Sequence, residues 1–153
     1  MVKFKYLYLI LISFVFVITG CIDSPETVST NADNIFVGLI QDSKPASIKN
    51  LQGIYVSWLD YTAHLRFEAS DSDINEIISQ GYQITAWSEI STHFVDLSDN
   101  YQDPFDPAWQ PEAIVEKECY VRDGQTCQPT ECTMSYLVID RKTGTVYYYT
   151  FSI

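Results

Sequence analysis

Hydrophobic and polar positions divide this chain into stretches of unlike pattern. Residues 6–18 form an apolar run that only Ser13 interrupts. Residues 22–34 are polar with no apolar period, the composition of a flexible connector. Residues 35–40 (Ile-Phe-Val-Gly-Leu-Ile) are a short apolar run that fits a buried strand or a turn of helix, and periodicity does not separate the two. Residues 54–58 are β-branched and aromatic and predict a strand. The clearest alternation lies in residues 62–69, where Ala63, Leu65, Phe67 and Ala69 share one face and Thr62, His64, Arg66 and Glu68 the other. That pattern predicts a strand with one core face and one solvated polar face.

A helix over about 71–80 follows. Ser70 stands where a cap is wanted, Asp71 and Asp73 complement the macrodipole, Ile74, Ile77 and Ile78 form one stripe, and Gly81 supplies the stop. Residues 82–95 read as strand or short helix. Residues 96–111 hold four Asp and three Pro and predict a long acidic loop. Residues 134–140 and 145–152 predict a C-terminal β-hairpin joined through Gly144, with Tyr147, Tyr149 and Phe151 on one face and Val146 and Tyr148 on the other. The expected fold class is therefore α+β, a small antiparallel sheet with one principal covering helix.

The N-terminus adds chemistry to its apolar run. Lys3 and Lys5 precede it, and Ile18-Thr19-Gly20-Cys21 closes it, the order of parts in a secretory signal. The 17 residues from 6 to 22 would make about 26 Å of helix, short against a hydrocarbon core of about 30 Å. The boundary resembles the lipobox of bacterial lipoproteins: an aliphatic residue (Ile18, where Leu is commoner), a small or β-branched residue (Thr19), Gly20, then Cys21. The resemblance implies cleavage after Gly20, a diacylglycerol thioether on Cys21 and membrane attachment through lipid. It also implies the outer membrane, facing the periplasm, in a Gram-negative host, because Ile22 rather than Asp follows Cys21. The expected organisation is a signal peptide over 1–20, a lipidated tether over 21–34 and one α+β domain over 35–153.

Charge narrows the partners. The chain of 153 residues has 9 Lys and Arg against 20 Asp and Glu. Loss of Lys3 and Lys5 with the leader would leave a net charge of −13. Such a surface repels nucleic acid, which is excluded as a partner, and attracts cationic proteins.

Once Cys21 carries lipid, Cys119, Cys127 and Cys132 remain, and pairing is the rule in an exported chain. A hairpin turning on Arg122-Asp123-Gly124 would set Cys119 opposite Cys127, the expected disulfide, with Cys132 left as a buried thiol. The cysteine spacing fits no closed zinc site, the acids Asp96, Asp99, Asp103 and Asp106 lack the alternation of a calcium loop, and no Gly-x-Ser-x-Gly elbow is present. No catalytic residue, metal or cofactor is therefore expected. The two histidines offer little more: His64 shares its face with Arg66 and Glu68, and His93 stands three residues before Asp96. Tyr82, Trp87, Tyr101, Phe105 and Trp109 cluster around the acidic loop, a composition found at recognition surfaces and in cores alike.

The expected function is that of a membrane-anchored binding protein of the cell envelope: an accessory subunit, an inhibitor or an immunity-type factor with an envelope protein as partner. The alternatives are a small envelope hydrolase or glycan-binding protein using acids such as Asp99 or Asp103, and a structural lipoprotein.

Overall fold

A computed structural model describes residues 27–57, 60–94, 105, 109–124 and 133–152. In chain order the elements are β1 (Thr27–Ser29), α1 (Ala32–Leu39), β2 (Lys49–Ser57), β3 (Tyr61–Glu68), α2 (Asp71–Ile78), β4 (Gln83–Thr85), α3 (Trp87–Ile90), β5 (Glu118–Asp123), β6 (Thr133–Asp140) and β7 (Thr145–Ser152). Short 3-10 turns occupy Ser91–Phe94 and Pro111–Ala113. All strand pairings are antiparallel, and the strands form one seven-stranded sheet in the order β1-β2-β3-β7-β6-β5-β4. The α+β class and the C-terminal β6–β7 hairpin are as the hydrophobic pattern predicts.

Both faces of the sheet carry a hydrophobic cluster. On the first, Ala63, Leu65 and Phe67 of β3 join Leu137 and Ile139 of β6 and Val146 and Tyr148 of β7. Ile35, Phe36 and Ile40 from the α1 segment and Ile74 and Ile77 from α2 cover them. Phe36 meets Phe67 edge to face at 5.3 Å. The apolar run at 35–40 is thus the buried stripe of a helix, and α2 shares the covering role with it. Three hydroxyls in this layer pair internally. Ser135 Oγ lies 3.1 Å from Thr150 Oγ1 and 3.3 Å from the Tyr148 hydroxyl, and Thr150 Oγ1 donates to the Met134 carbonyl at 2.8 Å.

Local signals hold where they rest on backbone chemistry. Ser70 accepts from the Asp73 amide at 3.3 Å to cap α2, and the Ser47 and Ser70 hydroxyls both donate to the Asp73 carboxylate, holding its pKa below the usual range. Gly81 and Gly144 have φ of 101° and 72°. A side chain at Gly144 would also place its Cβ 2.6 Å from the Ala69 carbonyl oxygen. Arg141, in the β6–β7 turn, ties three elements together: its Nε donates to Glu118 at 2.8 Å, Nη1 to Asp71 at 3.3 Å and Nη2 to Asn75 at 3.1 Å.

Three expectations are corrected. The connector predicted over 21–34 is ordered from Thr27: β1 pairs with Tyr55–Ser57 of β2, and Asn31 caps α1 by accepting from the Asn34 amide at 3.2 Å. Asn and Ser that read as linker by composition serve as cap and edge. The hairpin expected at Arg122-Asp123-Gly124 is absent, because β5 runs on through Arg122 and Asp123, which pair with Ser135 and Met134, and the Gly124 amide donates to the Thr133 carbonyl at 2.7 Å. Cys119 therefore faces Val138 on one side and Thr85 on the other, and Cys127 and Cys132 lie outside the described residues. The third concerns the polar face of β3, which is buried.

Two glycines should respond to alanine in opposite directions. Gly38, inside α1 with open space around it, should gain about 0.5–1 kcal/mol on Gly38→Ala. Gly144→Ala should lose about 1–3 kcal/mol from left-handed strain alone, with the backbone clash added. Urea denaturation of the two variants beside the parent checks both signs.

Candidate functional site

The second sheet face holds every sequence-predicted site residue that the structure brings together. Register builds it in rows across the strands. Gln52, Arg66, Tyr147, Val138 and Cys119 follow one another across β2, β3, β7, β6 and β5, and Ile54, His64, Tyr149, Tyr136 and Val121 form the adjacent row. A third row carries Val56, Thr62, Phe151 and Met134. Phe105 and Trp109, from the segment expected to be an acidic loop, and Ile90 and Phe94, from α3 and its 3-10 extension, pack onto these rows. The result is a second hydrophobic core of aromatic character.

This layer explains why β3 has no solvated face. His64 and Arg66 are only 8% and 9% exposed. The Trp109 ring meets His64 edge-on at 5.2 Å and Tyr147 edge-on at 5.1 Å, and it stacks with Phe94 at 5.9 Å. The Arg66 guanidinium carbon lies 5.9 Å from the Tyr147 ring centre, and Arg66 Nη1 donates to Gln52 Oε1 at 3.5 Å. Glu68, the acid next along the face, accepts instead from Asn50 Nδ2 at 2.9 Å. Alternation on one strand reports which residues share a face, and the covering rings come from a segment more than forty positions away.

At the other end of the layer, rings lie nearly parallel. His93 sits over Tyr136 at 4.5 Å with 18° between planes, and within 6 Å of Tyr149 and Phe151 at 17° and 25°. Tyr136 is buried, whereas Tyr149, Phe151 and His93 are half-exposed, so this end forms a platform that reaches the surface. Among the described residues no carboxylate contacts His93; Asp96, three residues on, lies outside them with Asp99, Asp103, Asp106 and the anchor residues Gly20 and Cys21.

Electrostatics oppose acid–base or thiolate chemistry here. Desolvation lowers the His64 pKa to about 4 and lowers that of His93 as well, so both rings are neutral at neutral pH. Burial raises the Cys119 thiol, and the ammonium of Lys117 offsets this only in part, so the thiol stays protonated and weakly nucleophilic. Among the described residues Cys119 is a free thiol, and no group of three His, Cys, Asp or Glu side chains is placed to hold a metal. A groove of about 680 Å³ runs along Val115, Lys117, Asp140 and Arg141, but its basic groups are engaged. Lys117 donates to the Pro111 and Glu112 carbonyls at 3.2 and 3.0 Å and lies 4.2 Å from the Trp87 ring centre, while Arg141 holds α2.

Sequence reading placed Trp109 and Phe105 in the loop region without assigning them to His64 and Arg66. The available signal was Phe105 and Trp109, two large rings four positions apart in a segment rich in Asp and Pro. Among the described residues no helix is long and apolar enough to cross a membrane. Comparison with protein families, with characterised proteins and with solved structures finds no match.

His64 makes stability pH-dependent with a defined sign. The unfolded chain binds a proton near pH 6.5 that the folded chain takes up only near pH 4, so stability is complete above pH 6.5 and falls as pH drops through this window. The loss by pH 4 should be about 3 kcal/mol. His64→Phe, which keeps an aromatic ring under Trp109, should flatten that part of the stability profile measured by urea denaturation from pH 7 to pH 4.

Proposed function

We propose that the chain is an exported lipoprotein, attached to the cell envelope through lipid on Cys21, that acts by binding an envelope protein and not by catalysis. The observation that carries the binding role is the aromatic platform. Tyr136, Tyr149, Phe151 and His93 present a rigid, ring-rich surface with little side-chain entropy to lose, which is the character of residues that dominate recognition surfaces. Two neutral histidines packed on rings, with no carboxylate contact among the described residues, suit recognition better than proton transfer. The anchor rests on Ile18-Thr19-Gly20-Cys21 behind a basic, apolar leader. The acidic excess of the mature chain would steer a basic partner to the surface, with an association rate that falls as salt rises.

Two measurements test the two halves of this reading. Cys21→Ser should abolish incorporation of labelled fatty acid into the chain, and labelling that survives the substitution rules out the anchor. Affinity capture from solubilised envelopes should recover a partner with the parent chain and lose most of it with the rim pair His93→Ala and Phe151→Ala. Recovery of the same partner at the same yield with that pair moves the binding surface elsewhere.

A further inference from the structure

Four buried side-chain polar atoms among the described residues lack a hydrogen-bond partner: Gln41 Oε1 and Tyr82 Oη, and, on the second face of the sheet, Arg66 Nε and Trp109 Nε1. Arg66 pairs in register with Tyr147, and His64 with Tyr149, so the four residues form a square on the second face. Trp109 meets His64 and Tyr147, which stand at opposite corners, so the indole sits over the square. Two unmet donors therefore belong to one aromatic layer: a permanently charged guanidinium and an indole N–H, with no carboxylate contact to either among the described residues. The acid best placed to neutralise Arg66, Glu68, is turned to Asn50.

A buried unpaired cation is costly, at several kcal/mol per ion after relaxation. An unsatisfied indole N–H adds about 1–3 kcal/mol. A hydrophobic side chain of Arg66's length would avoid both the charge and the open Nε–H. Two unmet donors whose side chains both meet Tyr147 match an acceptor-only group supplied from outside. With Nη1 on Gln52, Nε and Nη2 are the parallel pair that binds a planar carboxylate side-on. One permanent cation balances one negative charge, which favours a carboxylate over a doubly charged phosphate. Tyr147, Trp109, His64 and Phe105 give the rest of the ligand apolar surroundings.

We propose that the Arg66–Trp109 corner of the aromatic layer binds the carboxylate of a small organic monoacid with an apolar body. This deepens the binding reading above and rests on it, since it names a ligand class for the same layer. The fork of Arg66 holds the two carboxylate oxygens, Trp109 Nε1–H supplies a third donor, and the aromatic side chains receive the apolar part.

Benzoate is the probe, with acetate and inorganic phosphate compared at constant ionic strength, on the full chain in detergent. The Trp109 indole ¹⁵N–¹H resonance, assigned by its loss in Trp109→Phe, should shift saturably with benzoate, at higher concentrations with acetate, and not with phosphate. Arg66→Lys keeps the charge but loses the fork and should weaken benzoate about tenfold. Arg66→Met should abolish the response while leaving the unliganded melting temperature unchanged or higher, because it removes an unpaired buried charge. Should Arg66→Met fail to fold, the Arg66→Lys titration decides alone. Absence of a saturable shift with benzoate overturns the proposal. So does a fall in melting temperature in Arg66→Met that Glu68→Gln reproduces, which would show that Glu68 is the counter-ion in solution. A chain that still captures its envelope partner but ignores benzoate loses this inference alone and keeps the binding reading.

Discussion

β7 is hydrogen-bonded along its whole length on both sides, to β3 by eight register pairs from Tyr61↔Ser152 to Glu68↔Thr145 and to β6 by eight from Thr133↔Ser152 to Asp140↔Thr145. The last strand in the chain is therefore the middle strand of the sheet, joining β1-β2-β3 to β6-β5-β4. A central strand has no solvated face to spare, so Val146 and Tyr148 must be buried on one side and Tyr147 on the other. Each half of the sheet taken alone would expose a long unpaired edge where β7 belongs. Every other feature of the domain follows from supplying cover to both faces of this strand: α1 and α2 above the aliphatic side, α3, Phe105 and Trp109 above the aromatic side.

How much of this was legible in the sequence depends on the distance over which each feature is determined. Ser70, Gly81 and Gly144 act on the backbone within a few residues, and the cap, the helix stop and the hairpin turn lie where those residues predict. The alternation of β3 and β7 assigned residues to faces correctly for the same reason. What alternation cannot encode is the environment of a face. Thr62, His64, Arg66 and Glu68 look like a solvated row, and on an isolated hairpin they would be one. Their register neighbours Tyr147, Tyr149 and Phe151 make the row aromatic, and Trp109 closes it. Gly124 misled in the opposite sense: its turn propensity is real, yet β6 begins only at Thr133, and strand pairing with Met134 and Ser135 carries β5 past the expected turn. The residues of the candidate site were thus visible as types, and their assembly was not, because it is made by contacts between β3, β7 and a segment far away in the chain.

Each layer both pairs polar atoms and leaves some unmet: Tyr82 Oη in the aliphatic layer, Arg66 Nε and Trp109 Nε1 in the aromatic one. In the aliphatic layer, Ser135, Thr150 and Tyr148 answer one another across β6 and β7, and Arg122 donates to Gln80 at 3.2 Å while lying over Tyr82. In the aromatic layer a histidine is kept neutral and a guanidinium is held against rings with its Nε unmet. Buried polar groups that satisfy one another add specificity to a core, whereas a donor set without acceptors only costs stability until something binds.

Magnitudes show why such a layer persists. A desolvated guanidinium costs several kcal/mol, a large share of a net stability of about 5–15 kcal/mol for a domain of this kind. The rings that share the layer with Arg66 are those whose own burial is most favourable. Phe105 and Trp109 are each almost fully buried, and an aromatic side chain removes about 150–250 Å² from water, or about 4–6 kcal/mol before ordering entropy is subtracted. Two such rings offset one unpaired charge with a modest surplus. The covering rings and the cation are therefore energetically coupled. A smaller residue at 109 would reduce the apolar cover and at the same time let water reach Arg66, so much of its cost would be relieved by solvation of the charge. Burial of the cation is thus a property of the Trp109 lid as much as of Arg66, and any change in the aromatic segment resets both the stability of the second layer and the strength with which its donors demand an acceptor.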